Sequence, residues 1–295
     1  MQDAAEQRVR SFHRVVTQRI GALHDEYLAR GRSLGASRVL WEIGEGGTDL
    51  RALRVRLDLD SGYLSRLVRS LEQEGLVALE PGSPDRRIRT ARLTAAGRVE
   101  RAVLDERSDE LARSLLAPLG EGQRGRLVDA MDVVERLLTA ALVEVGIEDP
   151  GSDAARFCLS SYFAELDERF DTGFDPGLSA GEEPAAPAGL LLVARLRDEP
   201  IGCGVLQPHG AEAPEIKRLW VAPAARGLGV GRRLLGELER LARERGASVV
   251  RLDTNRRLRE ASSLYRSAGY AEIERFNDNP YAHHWFEKRL DGALP

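Results

Sequence analysis

The ten residues from Pro223 to Arg232 read Pro-Ala-Ala-Arg-Gly-Leu-Gly-Val-Gly-Arg and have the composition of an anion site. Gly227, Gly229 and Gly231 let backbone N–H groups approach a ligand closely, while Arg226 and Arg232 add guanidinium charge. A helix opening at Gly229 would aim its free N–H groups and the positive end of its dipole at the same point. The spacing is not the Gly-x-Gly-x-x-Gly of dinucleotide folds. A second cationic cluster, Arg86, Arg87 and Arg89, follows Pro81-Gly-Ser-Pro-Asp85. Guanidinium groups on the tip and return strand of such a turn can reach phosphates or a minor groove.

These residues must be held by regular elements, and the apolar spacing shows which. Strands are predicted over Gly189–Arg197 and Ile201–Gln207, around an Asp198-Glu-Pro200 turn, and over Glu215–Val221. Leu234, Leu235, Leu238 and Leu241 form the stripe of a helix running on from Gly229. Val249–Asp253 reads as the next strand, ending at Thr254-Asn255, and Ser179–Gly189 as an internal loop.

In the N-terminal half, Phe12, Val15, Val16, Ile20, Leu23 and Tyr27 predict one long amphipathic helix. Shorter helices follow near Ser37–Gly44 and Asp49–Leu57. Asp60 can cap a helix from Ser61 to about Glu74, with Leu64, Leu67, Val68 and Leu71 inward and Tyr63, Ser65, Arg66 and Arg69 outward. Gly75 is a helix stop, and β runs over Leu76–Glu80 and Ile88–Leu93 flank the basic turn. Helical patterns then run from about Ala95 to Val145 and break at Gly146–Asp153. The expected division is residues 1–147 and 153–295.

A polar, basic helix followed by a basic hairpin is the winged helix-turn-helix layout, with the helix sized for the major groove of double-stranded DNA. The run Gly75-Leu-Val…Pro84-Asp85-Arg86-Arg87…Leu93-Thr94-Ala-Ala-Gly97 resembles the MarR family of transcriptional regulators, over about Val9 to Val145. The resemblance implies a homodimer held by the first and last helices. It places Ser61, Tyr63, Ser65, Arg66, Arg69, Arg86, Arg87 and Arg89 at DNA, with Asp85 orienting Arg87.

The Arg-x-x-Gly-x-Gly turn, preceded by a Leu-x-Val strand end and a proline, resembles the GNAT acetyltransferase superfamily from about Ala155 to Leu290. Leu264-Tyr265-Arg-Ser-Ala-Gly269-Tyr270 continues the likeness. The fold this implies is an α+β GNAT acyltransferase fold with a mixed, splayed sheet, after an α-rich winged-helix domain. The cosubstrate implied is acetyl-CoA, its pyrophosphate held by Arg226, Gly227, Leu228, Gly229, Val230, Gly231 and Arg232. Its pantetheine arm would meet Leu219, Trp220, Val221 and Asn255. The resemblance gives Tyr265 the role of general acid toward the leaving thiolate. Tyr265 also fits a packing aromatic. Glu215 is the candidate base for the amine and also fits a solvent-facing strand position.

Tyr162, Glu165, Arg169, Tyr281 and His284 fall where this fold lines its acceptor pocket. Glu165 and Arg169 also fit a helix-surface pair at i, i+4. His283 and His284 are adjacent, face opposite sides of a strand, and make a poor metal clamp, so no metal is expected.

The formal net charge of -4 gives no global sign of nucleic acid, which leaves a local basic face. No apolar run suits a membrane span or a signal peptide, and Cys158 and Cys203 are the only cysteines. A cytoplasmic protein without membrane partners is expected. Lys217 and Lys288 are the only lysines, so lysine self-acetylation has no target in the N-terminal half. Three functions fit: a regulator that also acetylates an unknown amine, an enzyme dimerised by its N-terminal half, or a regulator that senses acetyl-CoA without turnover.

Overall fold

The computed structural model describes residues 2–23, 27–81, 89–177, 189–209 and 212–290. They fall into two units, Met1–Ala130 and Met131–Pro295, each with its own apolar cluster. Among the described residues no helix is long and apolar enough to cross a membrane.

In the first unit, α1 (Gln2–Arg19) is shorter than its apolar spacing predicts. Gly21 takes a φ of 72° and ends it in a turn, so Tyr27 belongs to a separate 3-10 turn, Tyr27–Ala29. Ser33 caps α2 (Leu34–Ile43), and Asp49, at the end of β1 (Thr48–Asp49), caps α3 (Leu50–Leu57). The Asp60 carboxylate accepts from the Tyr63 N–H at 2.8 Å and opens α4 (Ser61–Gln73), as its sequence position predicts. Leu64, Leu67, Val68 and Leu71 bury the inner face of α4 in one cluster with Val39, Leu40 and Ile43.

Next, β2 (Val77–Pro81) and β3 (Arg89–Leu93) pair antiparallel, with β1 on the far edge of β3. Thr94 Oγ1 accepts from the Gly97 N–H at 3.0 Å and opens α5 (Ala95–Leu116). α6 (Glu121–Ala141) runs from the first unit into the second. The helical pattern expected to reach Val145 stops there. Val143–Glu148 is instead strand β4, because Val143, Val145 and Ile147 alternate with polar or glycine residues in the two-residue period of a strand.

The second unit continues with α7 (Asp153–Arg169), capped by Ser152, then β5 (Leu190–Leu196), β6 (Glu199–His209) and β7 (Glu212–Val221). After these come α8 (Val230–Glu244), β8 (Val249–Thr254), α9 (Arg259–Ser267), β9 (Ala271–Ile273) and β10 (His284–Arg289). The strand order is β4-β5-β6-β7-β8-β10-β9, with β7 and β8 parallel and the other pairs antiparallel, a mixed sheet. The unbroken apolar run of β5 follows from cover on both faces. Leu190, Leu192 and Ala194 cluster with Leu234, Leu235 and Leu238 of α8, and Leu191 and Val193 with Ala155 and Cys158 of α7. Arg197 and Asp198, at φ 53° and 69°, make a two-residue hairpin turn, so Glu199 and Pro200 already belong to β6.

One irregularity shapes the site. The register pairs Cys203 with Trp220 but Val205 with Lys217, so β7 carries an extra residue, and Arg218 sits there at φ 52°. β7 and β8 are bridged at Glu215 and Arg251, and beyond that bridge a cavity lies between residues 216–219 and 253–255. This is the splay.

Candidate functional site

A groove of about 440 Å³ runs along the end of β7 and the start of α8, within the usual size of small-ligand sites. Gly227 and Gly229 have φ of 84° and 76°, which only glycine takes without strain, and a Cβ on either would meet no described atom within 4 Å. Both open onto the groove. α8 starts with no side-chain cap among the described residues, so its first N–H groups remain available to an anion. Leu219, Trp220, Val221, Arg226, Val230, Gly231 and Arg232 also line the groove. Leu228 does not; it packs against the core.

The two arginines expected at a pyrophosphate already have protein partners. Arg226 donates to both Glu165 oxygens at 2.7 and 2.6 Å, and Arg232 donates to Ser267 Oγ at 2.6 Å. Glu165 also accepts from Trp220 Nε1 at 2.9 Å and from Arg169 at 3.0 Å, and Arg169 pairs with Glu260 at 2.8 Å. Burial pushes the Glu165 carboxyl up, but the hydrogen bonds from Arg226, Arg169 and Trp220 outweigh it and hold it below its ordinary value. Glu165 and Arg169 thus lie on the groove and not on the smaller cavity beside it, and they form the i, i+4 pair.

That cavity, of about 60 Å³, adjoins the groove, and Tyr162 and Tyr265 line both. Tyr265 is buried, with its ring 5.8 Å from Phe286 and 6.0 Å from Tyr270. Burial, reinforced by the Asp253 charge, raises its phenol above the ordinary value of 10.0 and keeps it protonated.

Glu215 is 1% exposed, so the solvent-facing alternative fails. Asn277 Nδ2 donates to Glu215 Oε1 at 3.0 Å and to Asp253 Oδ2 at 2.7 Å, one amide bridging two carboxylates. Trp285 Nε1 fixes that amide from behind at 2.9 Å, and Asn279 Nδ2 donates to Asp253 Oδ1 at 2.9 Å. Burial and neighbouring Asp253 raise the Glu215 carboxyl, against the opposing pull of Lys217 at 3.1 Å. Asp253 lines the cavity, and Glu215 sits behind it.

Asn255 is buried, and its amide is committed to the Tyr281 carbonyl (2.7 Å) and the Arg257 N–H (2.9 Å), so it anchors the loop before β10. Tyr281 lines the cavity, with its ring 4.8 Å from Phe174 and 5.7 Å from Phe170. His284 lines neither space. It pairs across to Thr254, and its Nδ1 lies 2.7 Å from Glu272 Oε1 of β9. Asp253, Lys217 and Arg218 were missed by sequence reasoning. Their one signal was alternation along β7 and β8, which could not say which face meets a cavity.

In the first unit, Ser61, Ser65, Arg66 and Arg69 form the exposed face of α4. Tyr63 is half-buried against the core, 5.7 Å under the Arg66 guanidinium, so it supports that face more than it presents itself. Arg89 is exposed at the start of β3; Asp85, Arg86 and Arg87 lie outside the described residues.

Residues 187–272 match the family described as Acetyltransferase (GNAT) domain, and residues 31–88 match the MarR family. An uncharacterized N-acetyltransferase of Schizosaccharomyces pombe is 39% identical over 134 residues, 43% of this chain and 81% of the relative. The N-alpha-acetyltransferase RimI of Mycobacterium tuberculosis is 34% identical over 115 residues, 37% of this chain and 71% of the relative. A solved GNAT-family acetyltransferase of Staphylococcus aureus is 15% identical, with a TM-score of 0.45 over 50% of this chain and 99% of its own. The chain belongs to the GNAT family of acetyl-CoA-dependent N-acetyltransferases, and its residues 31–88 are similar to the MarR family.

Proposed function

We propose that the protein is a cytoplasmic, homodimeric DNA-binding regulator that also acetylates the amine of a small molecule. The observation that carries the enzymatic part is the position of Tyr265, which walls both the groove and the small cavity. Acetyl-CoA fits the groove: the open glycines and uncapped α8 N-terminus suit its pyrophosphate, and the bulged end of β7 suits its pantetheine. When bound, it supplies the acetyl thioester.

The acceptor amine enters from the cavity, where the Asp253–Glu215 pair takes its ammonium proton, Asp253 facing it and Glu215 sharing the charge through Asn277. Backbone N–H groups of residues 219–221 steady negative charge on the thioester oxygen. As the C–N bond forms and the C–S bond breaks, Tyr265 gives its proton to the leaving sulfur. Leu219, Trp220 and Val221 hold the arm, while Arg226 and Arg232 add positive potential from their pairs with Glu165 and Ser267.

For the regulatory part, the support is the exposed Ser61, Ser65, Arg66 and Arg69 face on a helix of major-groove length, beside Arg89. Val9, Phe12 and Val15 of α1 and Leu137 and Leu138 of α6 are all at least 44% exposed, apolar side chains that a second copy would cover.

The two activities are tested separately. Acetyl-CoA consumption against a panel of amines, amino acids and peptides should show turnover with small amines; binding of acetyl-CoA without turnover of any amine would leave the sensing function in its place. DNA affinity measured across salt should fall steeply. Arg66→Ala and Arg89→Ala should each flatten the log-log slope by about one unit per lost phosphate contact. Unchanged slopes for both would remove this face from DNA.

A further inference from the structure

The small cavity is unevenly charged. On its β7 side stand two neighbouring cations, and they differ. Lys217 is neutralised by Glu215 at 3.1 Å, whereas Arg218 makes no ion pair with any described residue. Arg218 owes its place to the bulge: at φ 52° in mid-strand it departs from the alternation of β7, and its guanidinium lies 5.7 Å over the Phe163 ring. A half-buried guanidinium resting on an aromatic face, with no carboxylate among the described residues on its in-plane N–H donors, suits a planar anion gripped edge-on.

On the β8 side, Asp253 presents the opposite charge, set by Asn277 and Asn279. A third wall is aromatic. Phe170, Phe174 and Tyr281 touch one another at centroid distances of 5.7, 5.8 and 4.8 Å, and all three line the cavity. The cavity is far smaller than the groove (about 60 against 440 Å³), so it favours a small acceptor over a polypeptide.

From this arrangement we infer that the acceptor is an α-amino acid with an aromatic or large apolar side chain, its carboxylate held by Arg218, its ammonium by Asp253 and its side chain by the Phe170–Phe174–Tyr281 wall. The inference rests on the cavity being the acceptor side of the acetyltransferase. A polyamine is the disfavoured class, because its second cation would meet the Arg218 charge in a partly desolvated space.

The test compares L-phenylalanine with 2-phenylethylamine, which differs only by the carboxylate, in full-length protein with acetyl-CoA. A charge-assisted contact of this kind makes kcat/KM for phenylalanine about ten- to a hundredfold higher. Arg218→Ala should collapse that preference, chiefly through KM for phenylalanine, and Arg218→Lys should restore part of it. A circular dichroism melt of each variant verifies that the fold is kept. Equal turnover of the two probes, or equal damage to both in Arg218→Ala, overturns the assignment of Arg218. Turnover of putrescine with none of phenylalanine overturns the amino-acid class and keeps the acetyltransferase. Acetyl-CoA binding with no amine turned over overturns both.

Discussion

Replacing Tyr265 by phenylalanine should lower kcat by about a hundred- to ten-thousandfold, the usual worth of a positioned general acid. The ring would stay where it is, since its packing against Phe286 and Tyr270 involves carbon only. Acetyl-CoA affinity and the melting temperature should therefore change little, and the loss should sit in kcat. The pH profile gives a second reading. Tyr265 titrates above 10.0 because it is buried near Asp253, so wild-type activity should show no alkaline limb from this residue between pH 7 and 10. The acid limb should belong to Glu215. Burial raises Glu215 above its ordinary 4.5, so activity falls as pH drops through a value higher than that, and Glu215→Gln should shift or abolish the limb. Tyr162 walls the same junction and supplies the control. If Tyr162→Phe loses activity and Tyr265→Phe does not, the proton comes from α7 rather than α9.

Much of this was legible in the sequence because the signals are local. Asp60, Thr94 and Ser152 cap helices through side chains that reach only three residues along the chain. Gly227 and Gly229 announce a left-handed turn before a helix, and the α8 leucines announce its buried face. What the sequence could not show are relations between distant segments. Glu165 looks like an acceptor ligand on α7, yet 61 residues later Arg226 claims both its oxygens. Asn255 resembles a cofactor contact and is spent on the Tyr281 carbonyl, 26 residues away. His284 is drawn to Glu272 by the β9–β10 pairing, which no periodicity reveals. The bulge that places Arg218 arises from the register between β6 and β7, and neither strand alone encodes it. β4 was hidden for a related reason: Val143, Val145 and Ile147 directly continue a helical pattern, and only pairing with β5 resolves the ambiguity.

Gly97→Ala should destabilise the first unit, although alanine is the better helix former by about 1 kcal/mol. Gly97 lies in the first turn of α5 with an ordinary helical φ, so freedom of the backbone is not its purpose. Space is. A Cβ there would sit 2.0 Å from the Leu76 carbonyl oxygen and 3.0 Å from its carbon, both backbone atoms just before β2. The same carbonyl accepts the Thr94 N–H at 3.0 Å, so relieving the clash means breaking the bond that ties the start of α5 to the start of the hairpin. Overpacking plus a lost buried hydrogen bond costs about 2–4 kcal/mol, more than the helix-propensity gain. The expected result is a melting temperature lowered by roughly 5–10 °C for the winged-helix transition and weakened DNA binding, with acetyl transfer retained by the second unit. Gly125→Ala in α6 is the matched control: its Cβ meets no described atom within 4 Å, so there the propensity term stands alone and the variant should be slightly stabilised. Opposite signs for the two substitutions would make contact with Leu76 the reason for glycine in Leu93-Thr94-Ala-Ala-Gly97. A Gly97→Ala protein as stable as Gly125→Ala would instead mean that β2 and α5 can part by an ångström without loss.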